Sequence, residues 1–159
     1  MGEAGKSIVD LDVEKLIDLL NKALADEWLA YYQYWIGAKL AKGKMRPAVA
    51  SELEEHAGEE LKHANMLVER IIQLGGTPLL DPKEWYDKTN CGYDVPSNPN
   101  TVELLKQNIK GERCAIRVYK NILDFVRGKD DITYHMIVDI LEDEVEHEED
   151  LESLLEDLE

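Results

Sequence analysis

The sequence predicts an all-α chain folded as a four-helix bundle, and three observations predict it. Apolar residues recur at helical spacing through four long stretches, the 15 glycines and prolines gather in a few breaks, and the breaks alternate short, long, short. At 159 residues with 44% apolar side chains, the chain is the size of one domain, able to bury a core without relying on disulfides.

Asp10 or Asp12 can cap a first helix of about residues 12–42, whose apolar positions include Leu16, Leu19, Leu20, Ala23, Leu24 and Leu29 and which Gly43 ends. Pro47 falls in the first turn of a second helix, about 46–74, running through Leu53, Leu61, Leu67 and Ile71 to a Gly75-Gly76 stop. Asn100 or Thr101 caps a third, about 101–127, with Leu104, Leu105, Ile109, Ile116, Ile122 and Phe125 before Gly128. The fourth, about 131–157, starts near Asp130 or Asp131. Short connections make hairpins of the first and last pairs. The middle connection, about 25 residues with four of the five prolines, is long enough to run the length of the bundle and set the second and third helices parallel. Within it, Pro82 to Asn90 is expected to form a short extra helix.

Composition narrows the function. A formal charge of −16 and a first ten residues with a single lysine argue against nucleic acid, which needs clustered Lys and Arg. The acidic surface either concentrates cations or simply keeps the chain soluble. No apolar run approaches a membrane span, and the N-terminus has no basic-then-apolar leader, so a cytoplasmic location is expected. Two cysteines, Cys91 and Cys114, are too few for a secreted disulfide scaffold or a zinc ribbon.

The chemistry lies in a spacing that occurs twice. Glu60 and His63 on the second helix, and Glu144 and His147 on the fourth, are three residues apart and so share a helix face. One such pair in a chain with 34 acids is weak evidence; register makes it stronger. Glu27 lies 33 residues before Glu60 and Glu112 lies 32 before Glu144, so the two hairpins repeat, and within each the acids should sit at equal height. Tyr34 follows Glu27 by seven residues and Tyr119 follows Glu112 by seven, two helical turns in each case. A buried carboxylate flanked by Trp28, Tyr31 and Tyr32 needs a partner, and a metal ion supplies one. Four carboxylates and two imidazoles are too oxygen-rich for structural zinc and too nitrogen-rich for calcium or magnesium, which leaves iron or manganese, as a pair of ions bridged by two of the glutamates.

These residues resemble the ferritin superfamily over nearly the whole chain. The segment HAGEELKHANMLVERIIQLGG, residues 56–76, is similar to the second helix of bacterioferritin, and residues 111–148, from GERCAIRVYKN to DEVEHE, are similar to thioferritins, the Dps-like members with a cysteine pair. The resemblance implies a ferritin-like four-helix bundle and a dinuclear iron site. Glu27, His63 and Glu60 would form one half, Glu112, His147 and Glu144 the other, with Glu60 and Glu144 bridging. It implies two iron ions per chain, ferrous iron and hydrogen peroxide as substrates, ferric mineral stored in a homo-oligomeric shell, and protection from oxidative stress. Leu61 stands where bacterioferritin has its haem-ligating Met, so haem is not expected. No segment remains for the fifth helix of 24-subunit ferritins, which favours a dodecamer, and the missing basic arm argues against DNA binding.

A rotation of two residues along the helix points Cys114 away from Glu112, toward the crossover that carries Cys91. The pair either forms a reversible disulfide that couples thiol redox state to the site or packs as two small apolar thiols. Tyr34 and Tyr119 either orient the glutamates or fill the core. His56 could meet incoming iron with Glu52 or Glu59, although a solvated position is favoured for it; His135 is expected at the surface, and the Glu-rich end of the fourth helix lines a channel or stays wet. Two other readings fit the same residues: a rubrerythrin-type peroxidase that stores no iron, and a metal-free helical interaction module.

Overall fold

Asp12 accepts a hydrogen bond from the Lys15 amide (3.0 Å) and so starts the first long helix. The computed structural model describes residues 1–158. A five-residue turn, α1 (Glu3–Ser7), precedes that helix, α2 (Val13–Leu40). No apolar period announces α1, and the sequence did not suggest it. Gly43, at φ +117°, turns the chain into α3 (Arg46–Gln73), which Pro47 opens and Gly75, at φ +88°, closes. The crossover carries a 3-10 turn (Pro82–Glu84) and α4 (Trp85–Lys88), so the expected short helix forms but ends before Asn90. Asn100 caps α5 (Thr101–Val126) through the Val102 amide (3.0 Å), and Asp130 caps α6 (Asp131–Leu158) through the Thr133 amide (3.1 Å).

The end of α2 lies against the start of α5, where the Lys42 amide donates to the Pro99 carbonyl (2.8 Å) and the Thr101 amide to the Lys42 carbonyl (2.9 Å). The start of α2 is tied to the end of α5 by the Asp10 amide on the Lys129 carbonyl (2.8 Å). These ties make α2 antiparallel to α5, and therefore α3 parallel to α5, as the crossover's length requires.

The apolar side chains separate into two clusters at opposite ends of the bundle. One gathers Leu16, Leu20, Leu67, Ile71, Ile122 and Ile137; the other gathers Ala38, Val49, Leu53, Leu104, Leu105 and Leu151. Each helix thus reads apolar, polar, apolar along its buried stripe, and the polar segments of all four meet at one level. The charges there are stabilised only if something in the layer compensates them. A second buried polar group lies at the far end: Arg70 grips Asp130 with its Nη2 (2.9 and 2.8 Å) and Thr133 with its Nε (2.7 Å). Among the described residues, no helix is long and apolar enough to cross a membrane.

Candidate metal centre

The polar layer consists of Glu27 from α2, Glu60 and His63 from α3, Glu112 from α5, and Glu144 and His147 from α6, all 3% exposed or less. One ligand atom from each of Glu27, Glu60, His63 and Glu144 lies within 4.8 Å of the others, and the same holds for Glu60, Glu112, Glu144 and His147. Glu60 and Glu144 belong to both groups. The sequence spacing leads to the expectation of such a pair of groups with two shared carboxylates. His63 Nδ1 lies 3.6 Å from Glu27, 3.5 Å from Glu60 and 3.5 Å from Glu144; His147 Nδ1 lies 3.5 Å from Glu60, 3.9 Å from Glu112 and 3.3 Å from Glu144.

The donor set passes a test for metal. Glu27 Oε2, His63 Nδ1, both oxygens of Glu144 and His147 Nδ1 are buried without a hydrogen-bond partner. Native proteins rarely leave such atoms unpaired, because each costs about 1–3 kcal/mol or more if charged. Five of them facing one another fit cations bound between them.

The outer nitrogen of each imidazole is held. His63 Nε2 meets Asp143 Oδ2 at 2.9 Å, and His147 Nε2 meets Glu59 Oε2 at 2.6 Å. Pairing of this kind fixes the ring orientation and leaves Nδ1 facing the buried carboxylates. The two holders were missed in the sequence, although a signal was there: each ExxH pair is directly preceded by an acid, Glu59 before Glu60 and Asp143 before Glu144. The tyrosines hydrogen-bond across the bundle. Tyr34 on α2 donates to Glu112 on α5, and Tyr119 on α5 donates to Glu27 on α2. Seven-residue spacing puts each tyrosine on its own glutamate's face, yet the glutamate it contacts belongs to the other hairpin.

Protonation follows from burial and crowding. Burial and then the Glu60 charge raise the Glu27 carboxyl well above the usual range; burial followed by Glu144 and Glu60 does the same to Glu112. Burial would also raise Glu60, but the proximity of Glu27, His147 and His63 holds it low. Burial would lower both imidazoles, yet the close carboxylates of Glu144, Glu27 and Glu60 raise His63 well above its ordinary value, and those of Glu144 and Glu60 push His147 up to about 12. Burial, then the charge of Glu112 or Glu27, raises Tyr34 and Tyr119.

The crossover closes one side. Asp26, next to Glu27, accepts from the amides of Asn90 (2.8 Å) and Cys91 (2.9 Å) and from the Asn90 side chain (2.7 Å). Cys91 is joined to Cys114 on α5 as a disulfide, with Cα atoms 5.8 Å apart. Both cysteines line a cleft of about 230 Å³ that reaches Glu27, Glu60, Glu112 and Glu144. The alternative of two free packed thiols does not hold in this structure. His135 is exposed, as expected. His56 is not solvated: it is 1% exposed, and burial followed by the His147 charge lowers it to about 3.

Comparison with known proteins shows the family and the fold. The ferritin-like domain family matches residues 17–159. The chain belongs to the ferritin family. It is 38% identical over 98% of its length to the DNA protection during starvation protein of Pyrococcus furiosus, of which it covers 86%. It is 30% identical over 87% of its length to the bacterioferritin of Rhodobacter capsulatus, of which it covers 81%. A dodecameric thioferritin from Bacteroides fragilis superposes with a TM-score of 0.93 at 51% identity, over 94% of this chain and 89% of that one. Dps from Thermosynechococcus elongatus, at 17% identity, shares the fold with a TM-score of 0.85 over 96% and 95% of the two chains. Membership in the ferritin family implies iron storage and protection against oxidative stress.

Proposed function

We propose that this chain is a ferroxidase that oxidises ferrous iron at the six-residue centre with hydrogen peroxide and stores the ferric product inside a dodecameric, cytoplasmic shell. The observation that carries this reading is the set of unpartnered ligand atoms arranged as two groups sharing Glu60 and Glu144. The 51% identity to a dodecameric thioferritin supports the assembly, and the family's iron storage supports the cargo.

Iron is both substrate and cargo. Two ferrous ions each give up one electron, hydrogen peroxide takes both electrons and two protons, its O–O bond breaks, and two waters leave. The protein's task is to bind, space and screen. Glu27 and His63 bind on one side, Glu112 and His147 on the other, and Glu60 and Glu144 bridge. Asp143 and Glu59 keep each imidazole aimed inward, while Tyr119 and Tyr34 fix the terminal carboxylates. The raised carboxyls of Glu27 and Glu112 give up their protons to solvent when a cation arrives, and the two protons that peroxide needs come from solvent. The Cys91–Cys114 disulfide lines the approach to the carboxylates, so its reduction to two thiols couples cellular redox state to access. The same donors accept manganese, while haem and DNA play no part in this scheme.

Glu112→Ala tests the assignment: rapid peroxide-dependent iron oxidation should vanish while helix content stays, and retained activity refutes it. Size-exclusion chromatography with iron analysis tests storage. A dodecamer holding far more than two irons per chain supports it; a preparation that never exceeds two favours the non-storing, rubrerythrin-type peroxidase, and one without metal favours the interaction module.

A further inference from the structure

A positive stripe runs along the exposed face of α5, in a chain whose formal charge is −16. Lys106, Lys110, Arg113, Arg117 and Lys120 follow one another at steps of four and three residues, so they share one side of the helix. All five are exposed. Glu112, the acid that falls among them in sequence, points into the bundle and is 3% exposed. The neighbouring α6 carries no Lys or Arg at all. Three of the five cations are partly spoken for: Arg113 by Glu148 (2.6 Å) and Glu152 (2.5 Å), Lys110 by Asp94 (2.8 Å) and Lys120 by Asp124 (2.5 Å). Lys106 and Arg117 make no ion pair among the described residues.

The disulfide lies beside this stripe. Cys114 comes four residues after Lys110 and three before Arg117, and both cations line the same cleft as the two cysteines. Both cysteines are half-buried. Gly92 adjoins Cys91, and Gly111 lies one turn before Cys114; nothing stands within 4 Å of where either would carry a Cβ. Neither neighbour therefore shields the bridge from a macromolecule laid on α5. Asp26 holds the Asn90 and Cys91 amides (2.8 and 2.9 Å) through bonds that do not involve sulfur, so an opened bridge keeps its halves close enough to close again.

We propose that the α5 stripe docks a small acidic protein bearing a reduced dithiol, which opens the Cys91–Cys114 bridge. A thiolate of the partner attacks the Cys91 sulfur, the bond to Cys114 breaks, and a mixed disulfide joins the partner to Cys91. The partner's second thiol then displaces Cys91. Two electrons and two protons have passed: the partner ends as a disulfide and this chain as two thiols. Cys91 is the sulfur attacked because it sits on the crossover beside exposed Gly92, whereas Cys114 is set in a helix. Charge selects the partner. The net charge of −16 repels an acidic protein elsewhere, while the stripe gives it one favourable approach and a faster encounter. An uncharged small thiol gains nothing from it. Docking and exchange stand on this surface; their effect on iron chemistry rests on the functional reading above.

The test sets reduced thioredoxin, a small acidic dithiol protein, against uncharged dithiothreitol, with the whole oxidised assembly as substrate. Timed alkylation and mass spectrometry read the thiols at Cys91 and Cys114. Thioredoxin should open the bridge faster at equal dithiol concentration, and its rate should fall several-fold from low to physiological salt. The K106Q/R117Q variant, which breaks no ion pair, should slow thioredoxin several-fold and flatten the salt dependence, with the dithiothreitol rate and iron oxidation unchanged. Thioredoxin lacking its second thiol should be trapped on Cys91. Equal slowing of both reductants, a thioredoxin rate indifferent to salt, trapping on Cys114, or faster reduction by glutathione than by thioredoxin overturns the proposal. So does a K106Q/R117Q assembly that falls apart, which makes the stripe a contact between copies of this chain. Iron oxidation is followed separately in the same samples. Wild-type protein that oxidises no iron refutes the functional reading and spares the docking; salt-indifferent reduction with iron oxidation intact does the reverse.

Discussion

Reducing the Cys91–Cys114 bridge should destabilise the fold by an amount set by the chain it closes. The bridged residues are 23 apart in sequence, and the chain-entropy relation for a loop of that length gives about 3 kcal/mol at 25 °C. For a chain of this size each kcal/mol moves Tm by about 2–4 °C, so the expected loss is about 6–12 °C. Differential scanning calorimetry at fixed protein concentration, with and without reductant, reads it directly. Cys91→Ser/Cys114→Ser should match the reduced wild type and ignore reductant. The Asp26 hydrogen bonds that hold Asn90 and Cys91 do not depend on the bridge, so the crossover should stay docked and unfolding should remain one transition. If oxidised wild type exposes two titratable thiols and its Tm is indifferent to reductant, the bridge and the loop argument both fail.

Asp143→Asn, which weakens the hold on His63 Nε2, should lower metal affinity by roughly 10–100-fold with helix content preserved, as measured by competition with a chelator. Arg70→Met leaves Asp130 buried without its guanidinium and should cost about 3–5 kcal/mol in chemical denaturation, with little effect on iron oxidation. Asp130 is held below its ordinary value of 3.8: burial opposes this, but Thr133 and Arg70 outweigh it, so its contribution is present above that pH and lost as pH falls below it. At the centre the sign reverses. His63, His147, Glu27 and Glu112 all have raised values in the fold, so folding takes up protons, and metal-free protein should lose stability as pH rises from 6 through 9 by thermal melts. Metal loading at pH 7 should release protons, visible as a dependence of the calorimetric binding heat on the buffer, and a buffer-independent heat would contradict it.

Which parts of this were legible in the chain depends on the range over which helical periodicity speaks. Apolar period, caps and glycine stops placed all four long helices within two residues or so of their observed bounds. The doubled spacing of Glu27 to Glu60 and Glu112 to Glu144 pointed to six side chains that the fold does bring to one level. Periodicity reports the face a residue occupies on its own helix, and height follows from distance to the turn. Neither reports how one helix is rotated against another. The crossed contacts of Tyr34 with Glu112 and Tyr119 with Glu27, the grip of Asp143 and Glu59 on the imidazoles, and the buried stack of His56 on His147 all depend on that rotation. It is set by how the two apolar clusters interlock. The sequence by itself thus determined the elements, their order and the candidate ligands. Only tertiary packing decided which side chain on one helix meets which on the next, because those contacts join residues 78 to 92 positions apart that no local pattern links.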